Sequence, residues 1–119
     1  MVNVDTHILI FALTGEVTDR ERRILASNTW SVSAIVLWEL AKLAQLGRID
    51  IDLDDADLTR TLSSIHVWPI DLAVSIQSTR LDFKSDPADE LIAATSIVHQ
   101  IPLITRDRRI RGSRLVKFA

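Results

Sequence analysis

Short β-forming runs alternate with longer helical stretches along this chain, and that alternation leaves few folds open. Val2 to Val4, Trp30 to Val32, His66 to Ile70 and Pro102 to Thr105 are apolar runs of strand length, and Leu115 to Phe118 offers a fifth. Helix signals fill the intervals. Thr6 is placed to cap a helix over Ile8 to Leu13 that stops at Gly15, and Thr18 or Asp19 opens a second helix through Ala26. Ser33 opens a third from Ala34 to Leu46, closed by Gly47, while Asp54 to Ile65 is amphipathic and helical. Asp71 opens a helix through about Phe83, and Asp86 caps another over Ala88 to His99 with Pro87 in its first turn. Strands this short, separated by helices, pair in parallel with both faces covered. The expected fold is therefore α/β: a three-layer α/β/α arrangement with a mainly parallel sheet of four to five strands.

No repeat, low-complexity run or linker divides the chain, so residues 1–119 are expected to form a single domain. With 47% hydrophobic residues and 25% charged, the sequence is too apolar for disorder. The absence of cysteine excludes thiolate catalysis, Cys-ligated zinc and iron–sulfur chemistry. The longest apolar run, Ile8 to Leu13, falls far short of the roughly 18 to 20 residues that span a bilayer. No membrane association is expected, nothing at the N-terminus reads as a secretory signal, and the expected location is the cytoplasm. The formal net charge is −2, but it is unevenly spread: five of the eleven arginines fall between Arg106 and Arg114, and five aspartates between residues 50 and 57. A near-neutral sum can hide a basic edge suited to phosphate.

In doubly wound sheets chemistry collects at the carboxyl ends of the strands, where strand order reverses. Asp5 follows the first strand and is the only charged side chain in the first fifteen residues. Glu39 is the only charge between Ser31 and Ala41, on a helix otherwise apolar nearly all round. Burying such a carboxylate costs several kcal/mol or forces its protonation unless a cation compensates. Asp89 stands in the first turn of a later helix, where the helix dipole favours it, and Asp107 follows the fourth strand. Each has a plain structural reading: Asp89 as a helix-start residue, Asp107 as a turn former, Asp5 and Glu39 as salt-bridge partners, Glu39 with Lys42. Taken together, four acids on one rim call for hard divalent cations, Mg²⁺ or Mn²⁺, which prefer oxygen ligands. Two such ions roughly 4 Å apart clamp an in-line displacement at phosphorus, one activating water and the other steadying the leaving oxygen. The expectation is a metal-dependent phosphodiesterase with Asp5, Glu39, Asp89 and Asp107 as catalytic metal ligands. Asp86 and Glu90 are further ligand candidates, and Thr6, Ser33 and Thr105 are candidates to orient ligands.

These residues fall in four segments: Val-Asp-Thr-His at 4–7, Ser-Ala-Ile-Val-Leu-Trp-Glu-Leu-Ala at 33–41, Asp-Pro-Ala-Asp-Glu-Leu-Ile-Ala-Ala-Thr at 86–95 and Pro-Leu-Ile-Thr-Arg-Asp at 102–107. In this order, and over nearly the whole chain, the sequence resembles the PIN-domain ribonucleases, particularly the VapC-type toxins of toxin–antitoxin pairs. The resemblance implies a PIN fold, RNA cleavage dependent on Mg²⁺ or Mn²⁺, and a metal-binding quartet of Asp5, Glu39, Asp89 and Asp107. It also implies a homodimer and inhibition by a small antitoxin encoded beside it. One departure stands out: relatives often carry a basic residue after the third acid, where this chain has Glu90.

Arg106, Arg108 and Arg109, with Arg111 and Arg114, are placed to hold phosphates flanking the site. Arg20, Arg22 and Arg23 alternate with Asp19 and Glu21 and read as a solvated helix face. Trp30, Trp38 and Trp68 read as core and His66 and His99 as structural, while His7, two residues past Asp5, reaches substrate only where the segment alternates as a strict strand. A housekeeping RNA-processing nuclease remains an alternative, as does a catalytically silent binding module. A phospho-acceptor signalling domain expects paired acids after the first strand and a late lysine, where this chain has Asp5-Thr6 and Arg106. A haloacid-dehalogenase-like phosphatase expects Asp-x-Asp, which Asp5-Thr6-His7 lacks.

Overall fold

The structure is a computed structural model that describes residues 1–119. Four strands, β1 (Val2–Val4), β2 (Trp30–Ser33), β3 (His66–Trp68) and β4 (Leu103–Ile104), form one sheet in the order β3-β2-β1-β4. All pairings are parallel: Asn3 stands opposite Ser31 on one side and Leu103 on the other, and Val32 opposite Val67. The chain steps outward from β1 to β3 and then crosses back to β4, so strand order reverses at β1. The expected fifth strand reduces to a single bridge between Leu103 and Phe118, because Ser113 and Asp82 hold the C-terminal segment in turns instead.

Seven helices cover the sheet: α1 (Thr6–Thr14), α2 (Asp19–Ala26), α3 (Ala34–Gln45), α4 (Ala56–Ser63), α5 (Leu72–Ser78), α6 (Pro87–His99) and α7 (Arg108–Arg111). Their termini follow capping chemistry. Asp5, not Thr6, caps α1, its carboxylate accepting from the Thr6 amide at 2.8 Å. Gly15 ends that helix in the left-handed conformation at φ 77°, which favours glycine. Thr18 and Glu21 form a reciprocal capping box on α2, and Ser33 caps α3. α4 starts at Ala56, two residues after the expected Asp54, with Asp55 as its cap, because Asp52 holds Asp54 in the preceding turn. β3 ends at Trp68, short of Ile70, since Pro69 brings no N–H to the ladder. α5 stops at Ser78, well before Phe83, where the Ser78 and Thr79 hydroxyls fold back onto helix carbonyls.

Val2, Val4, Ile8, Leu9, Leu40, Ile92, Leu103 and Ile110 are sealed from solvent between sheet and helices. One polar contact ties the layers together: Asn3, fully buried on β1, donates to the Ser96 hydroxyl at 2.9 Å and the Ile92 carbonyl at 3.3 Å on α6. Trp30 anchors to the Leu25 carbonyl, and Trp68 packs between His66 and His99 at the sheet edge. Trp38 corrects the core expectation. It is 58% exposed, because Val36 and Leu40 take the inward face of α3. No helix is long and apolar enough to cross a membrane.

Candidate active site

The reversal of strand order at β1 leaves a recess at the carboxyl ends of β1 and β4. Asp5 emerges there, 3% exposed, with both carboxylate oxygens engaged: Oδ1 by the Thr6 amide and Oδ2 by the Thr105 hydroxyl at 2.6 Å. The Thr105 hydroxyl in turn accepts from the Asp107 amide at 3.0 Å, so one side chain links the two acids. Asp107 caps α7, a helix with no forewarning in the sequence, by accepting from the Ile110 amide at 3.0 Å. Asp89 enters from the first turn of α6 and accepts from the Ser85 hydroxyl at 2.8 Å. Glu39, on α3, accepts from the Thr6 hydroxyl at 2.5 Å. Thr6 therefore does not cap α1. Its hydroxyl is turned to Glu39 while the neighbouring Asp5 serves as cap.

No acid at this recess is held in an ion pair. The three ion pairs of the molecule, Arg22–Asp19, Arg60–Asp57 and Arg106–Glu21, all lie outside it, and Lys42 bonds Gln45 rather than Glu39. Burial pushes the Asp5 carboxyl up from its ordinary range, Asp89 adds repulsion, and the bonds from Thr105 and Thr6 oppose the rise. Asp89 is likewise pushed up by burial and by repulsion from Asp107 and Asp86, against the bond from Ser85. His7, in the first turn of α1, offsets a little of this at both acids.

Asp86 stands at the cap position of α6 but makes no capping bond, because its side chain lies in the acidic depression instead. Ser85, Asp86, Asp89, Asp107, Arg108 and Arg109 line that depression without any apolar side chain. Arg108 and Arg109 are exposed and unpaired beside the acids. Arg106 departs from the phosphate-holding expectation: its guanidinium grips Glu21 at 2.6 and 2.7 Å and lies over the Phe11 ring at 4.1 Å. This pairing holds the Glu21 carboxyl far down, to about 2. Glu21 is buried, contrary to the solvated face expected of α2. Sequence reasoning missed Ser85 and the second role of Glu21; the Thr18–Glu21 spacing signals a capping box but not the partner across the fold.

No three acids or histidines are arranged as a finished metal cage. The donor set nevertheless suits a hard cation. Its donors are carboxylate oxygens, one of them sealed from water, and none is neutralised by a basic residue.

Fold and site together define a doubly wound α/β domain with an acidic recess at the carboxyl edge of its sheet. The PIN domain family model matches residues 2–113. The chain belongs to the PIN domain family. It is 38% identical over 88 residues to Ribonuclease VapC22 of Mycobacterium tuberculosis, covering 71% of this chain and 67% of that protein. Among solved structures, a toxin–antitoxin complex from Klebsiella pneumoniae superposes with a TM-score of 0.77 at 22% identity, covering 98% of this chain and 95% of that one. DNA-bound VapBC from Salmonella typhimurium gives 0.76 at 18% identity, with 99% and 96% covered. These two likenesses establish the fold.

Proposed function

We propose that this chain is a divalent-metal-dependent endoribonuclease acting in the cytoplasm as the toxin of a VapBC-type pair. The observation that carries the reading is a buried Asp5 flanked by Asp89 and Asp107, none of them in an ion pair. Family membership and the 38% identity to a protein named a ribonuclease support the RNA substrate. The toxin–antitoxin complexes among the solved structures of like fold support a small antitoxin partner, and the family resemblance adds a homodimer.

On this reading Asp5, Glu39, Asp89 and Asp107 hold Mg²⁺, or Mn²⁺ in its place. When bound, two such ions polarise the phosphodiester and lower the pKa of water for in-line displacement. The rest is done by the chain itself. Thr105 orients Asp5, Thr6 orients Glu39 and Ser85 orients Asp89, each by a hydroxyl hydrogen bond. Asp86 borders the site and adds negative potential. Arg108 and Arg109, unpaired on its rim, hold phosphates flanking the cleaved bond. Arg106, committed to Glu21, does not.

The test is cleavage of single-stranded RNA by the purified chain and by Asp5→Asn, with Mg²⁺, with Mn²⁺ and with excess EDTA. Wild type cuts only with metal, and the variant, still folded by circular dichroism, does not cut. Undiminished cutting by the variant, or full activity in EDTA, overturns the reading. Co-purification with the product of the adjacent gene, and loss of cutting in that complex, tests the antitoxin.

A further inference from the structure

Arg106 sits between two residues of the site, Thr105 and Asp107, yet points away from it. Its Nε donates to Glu21 Oε2 at 2.7 Å and one terminal nitrogen to Glu21 Oε1 at 2.6 Å, a two-pronged pairing. The same terminal nitrogen reaches the Glu16 carbonyl at 3.3 Å, and the guanidinium carbon lies over the Phe11 ring, 4.1 Å from its centroid. Glu21 is 7% exposed and also caps its own helix through the Thr18 amide at 2.9 Å. Arg106 therefore joins the α1–α2 corner to the turn that carries Asp107. The turn is also held from its own side by Arg111, which donates to the Thr105 carbonyl at 3.2 Å, and by the Asp107 cap on α7, while Arg106 ties it to the α1–α2 corner.

We propose that Glu21 and Arg106 form a positioning clamp, which sets the β4–α7 turn so that Thr105 meets Asp5 and Asp107 faces the same recess. The inference rests on the metal-site reading above. Neither clamp residue touches substrate. A guanidinium is required because two parallel N–H bonds fix direction as well as distance, which a lysine ammonium cannot do. Loss of a partner that orients ligands from outside typically costs about 10- to 100-fold in metal affinity or activity.

The experiment compares Glu21→Gln, Arg106→Gln, Arg106→Lys and the double Gln variant in the full chain. The readouts are Mn²⁺ affinity by titration, kcat and KM for RNA, the salt dependence of KM, the Thr105 and Asp107 amide resonances, and the melting temperature. Glu21→Gln keeps an acceptor for the Thr18 amide, so its helix cap survives. The clamp predicts that either single Gln variant weakens Mn²⁺ binding and lowers kcat by about 10-fold or more, with KM and its salt slope unchanged. It further predicts that the double variant is no worse than either single one, and that Arg106→Lys does not rescue. The amide resonances of Thr105 and Asp107 shift in each variant. Were Arg106 a phosphate contact, Arg106→Gln would raise KM and flatten the salt slope while Glu21→Gln left both alone, and the proposal would fall. Lowered melting temperature with unchanged Mn²⁺ affinity would reduce the pair to a structural brace and also overturn it. If Asp5→Asn abolishes cutting while Glu21→Gln changes nothing, the clamp fails and the nuclease reading stands.

Discussion

Thr105→Val removes one hydroxyl of nearly unchanged volume from a site that is 4% exposed. Two hydrogen bonds go with it: the donation to Asp5 at 2.6 Å and the acceptance from the Asp107 amide at 3.0 Å. A hydrogen bond to a charged group contributes about 1.5 to 3 kcal/mol, and the part-buried Asp107 amide left without a partner adds about 1, the low end for such a group. The expected destabilisation is about 3 kcal/mol, or roughly 12 °C in melting temperature at some 4 °C per kcal/mol for a chain of this length. The pH dependence separates this cause from mere mispacking. The Thr105 bond favours the ionised form of Asp5, so its loss raises a carboxyl that burial has already pushed up. The cost is then greatest above the raised value, where the carboxylate is charged, and shrinks as pH falls through it and the carboxyl takes up a proton. Metal-free thermal melts of both proteins across that range supply the assay. A variant that melts within about 2 °C of wild type at neutral pH, or a gap of constant size at every pH, would refute the reasoning.

Asp5→Asn and Asp89→Asn are expected to raise the melting temperature of the metal-free protein at neutral pH while abolishing its stabilisation by Mn²⁺. Both folded carboxyls are raised, so their stabilising contribution is complete only below the unfolded value and is lost as pH climbs through the folded one; the gain over wild type disappears in acid. Ile92→Ala, in the fully buried centre of α6, costs about 2 to 5 kcal/mol and is read as a lower denaturation midpoint without a change in slope. Arg108→Ala and Arg109→Ala each weaken RNA binding alike for all sequences and flatten its salt dependence by roughly one phosphate contact.

Much of the architecture was legible because it rests on local chemistry. Pro87 at the first turn and the apolar run Leu91 to Thr95 announce α6, and Ser33 announces α3. What escaped rests on partners distant in sequence. Thr6 looks like the cap of α1, and only the approach of Glu39, thirty-three residues on, assigns its hydroxyl elsewhere and leaves the cap to Asp5. Glu21 sits among charged neighbours on α2, and its burial depends on Arg106 arriving from eighty-five residues away. The short α7 has no apolar periodicity to betray it; Asp107 alone starts it. Trp38 misled because hydrophobicity favours burial without saying which face of a helix turns inward. The four acids could be singled out because an isolated carboxylate in an apolar segment is costly. The nearness of Asp5, Asp89 and Asp107 follows from the reversal of strand order at β1, which residue types alone do not fix, and Glu39 is tied to them only through Thr6.

Anomalous diffraction from crystals grown with Mn²⁺, recorded for wild type and for Asp5→Asn, tests the central claim most directly. The account predicts a manganese peak within coordination distance of Asp5 and Asp107 in the first and none in the second. A wild-type recess without manganese, or a peak that persists unchanged beside Asn, would contradict it.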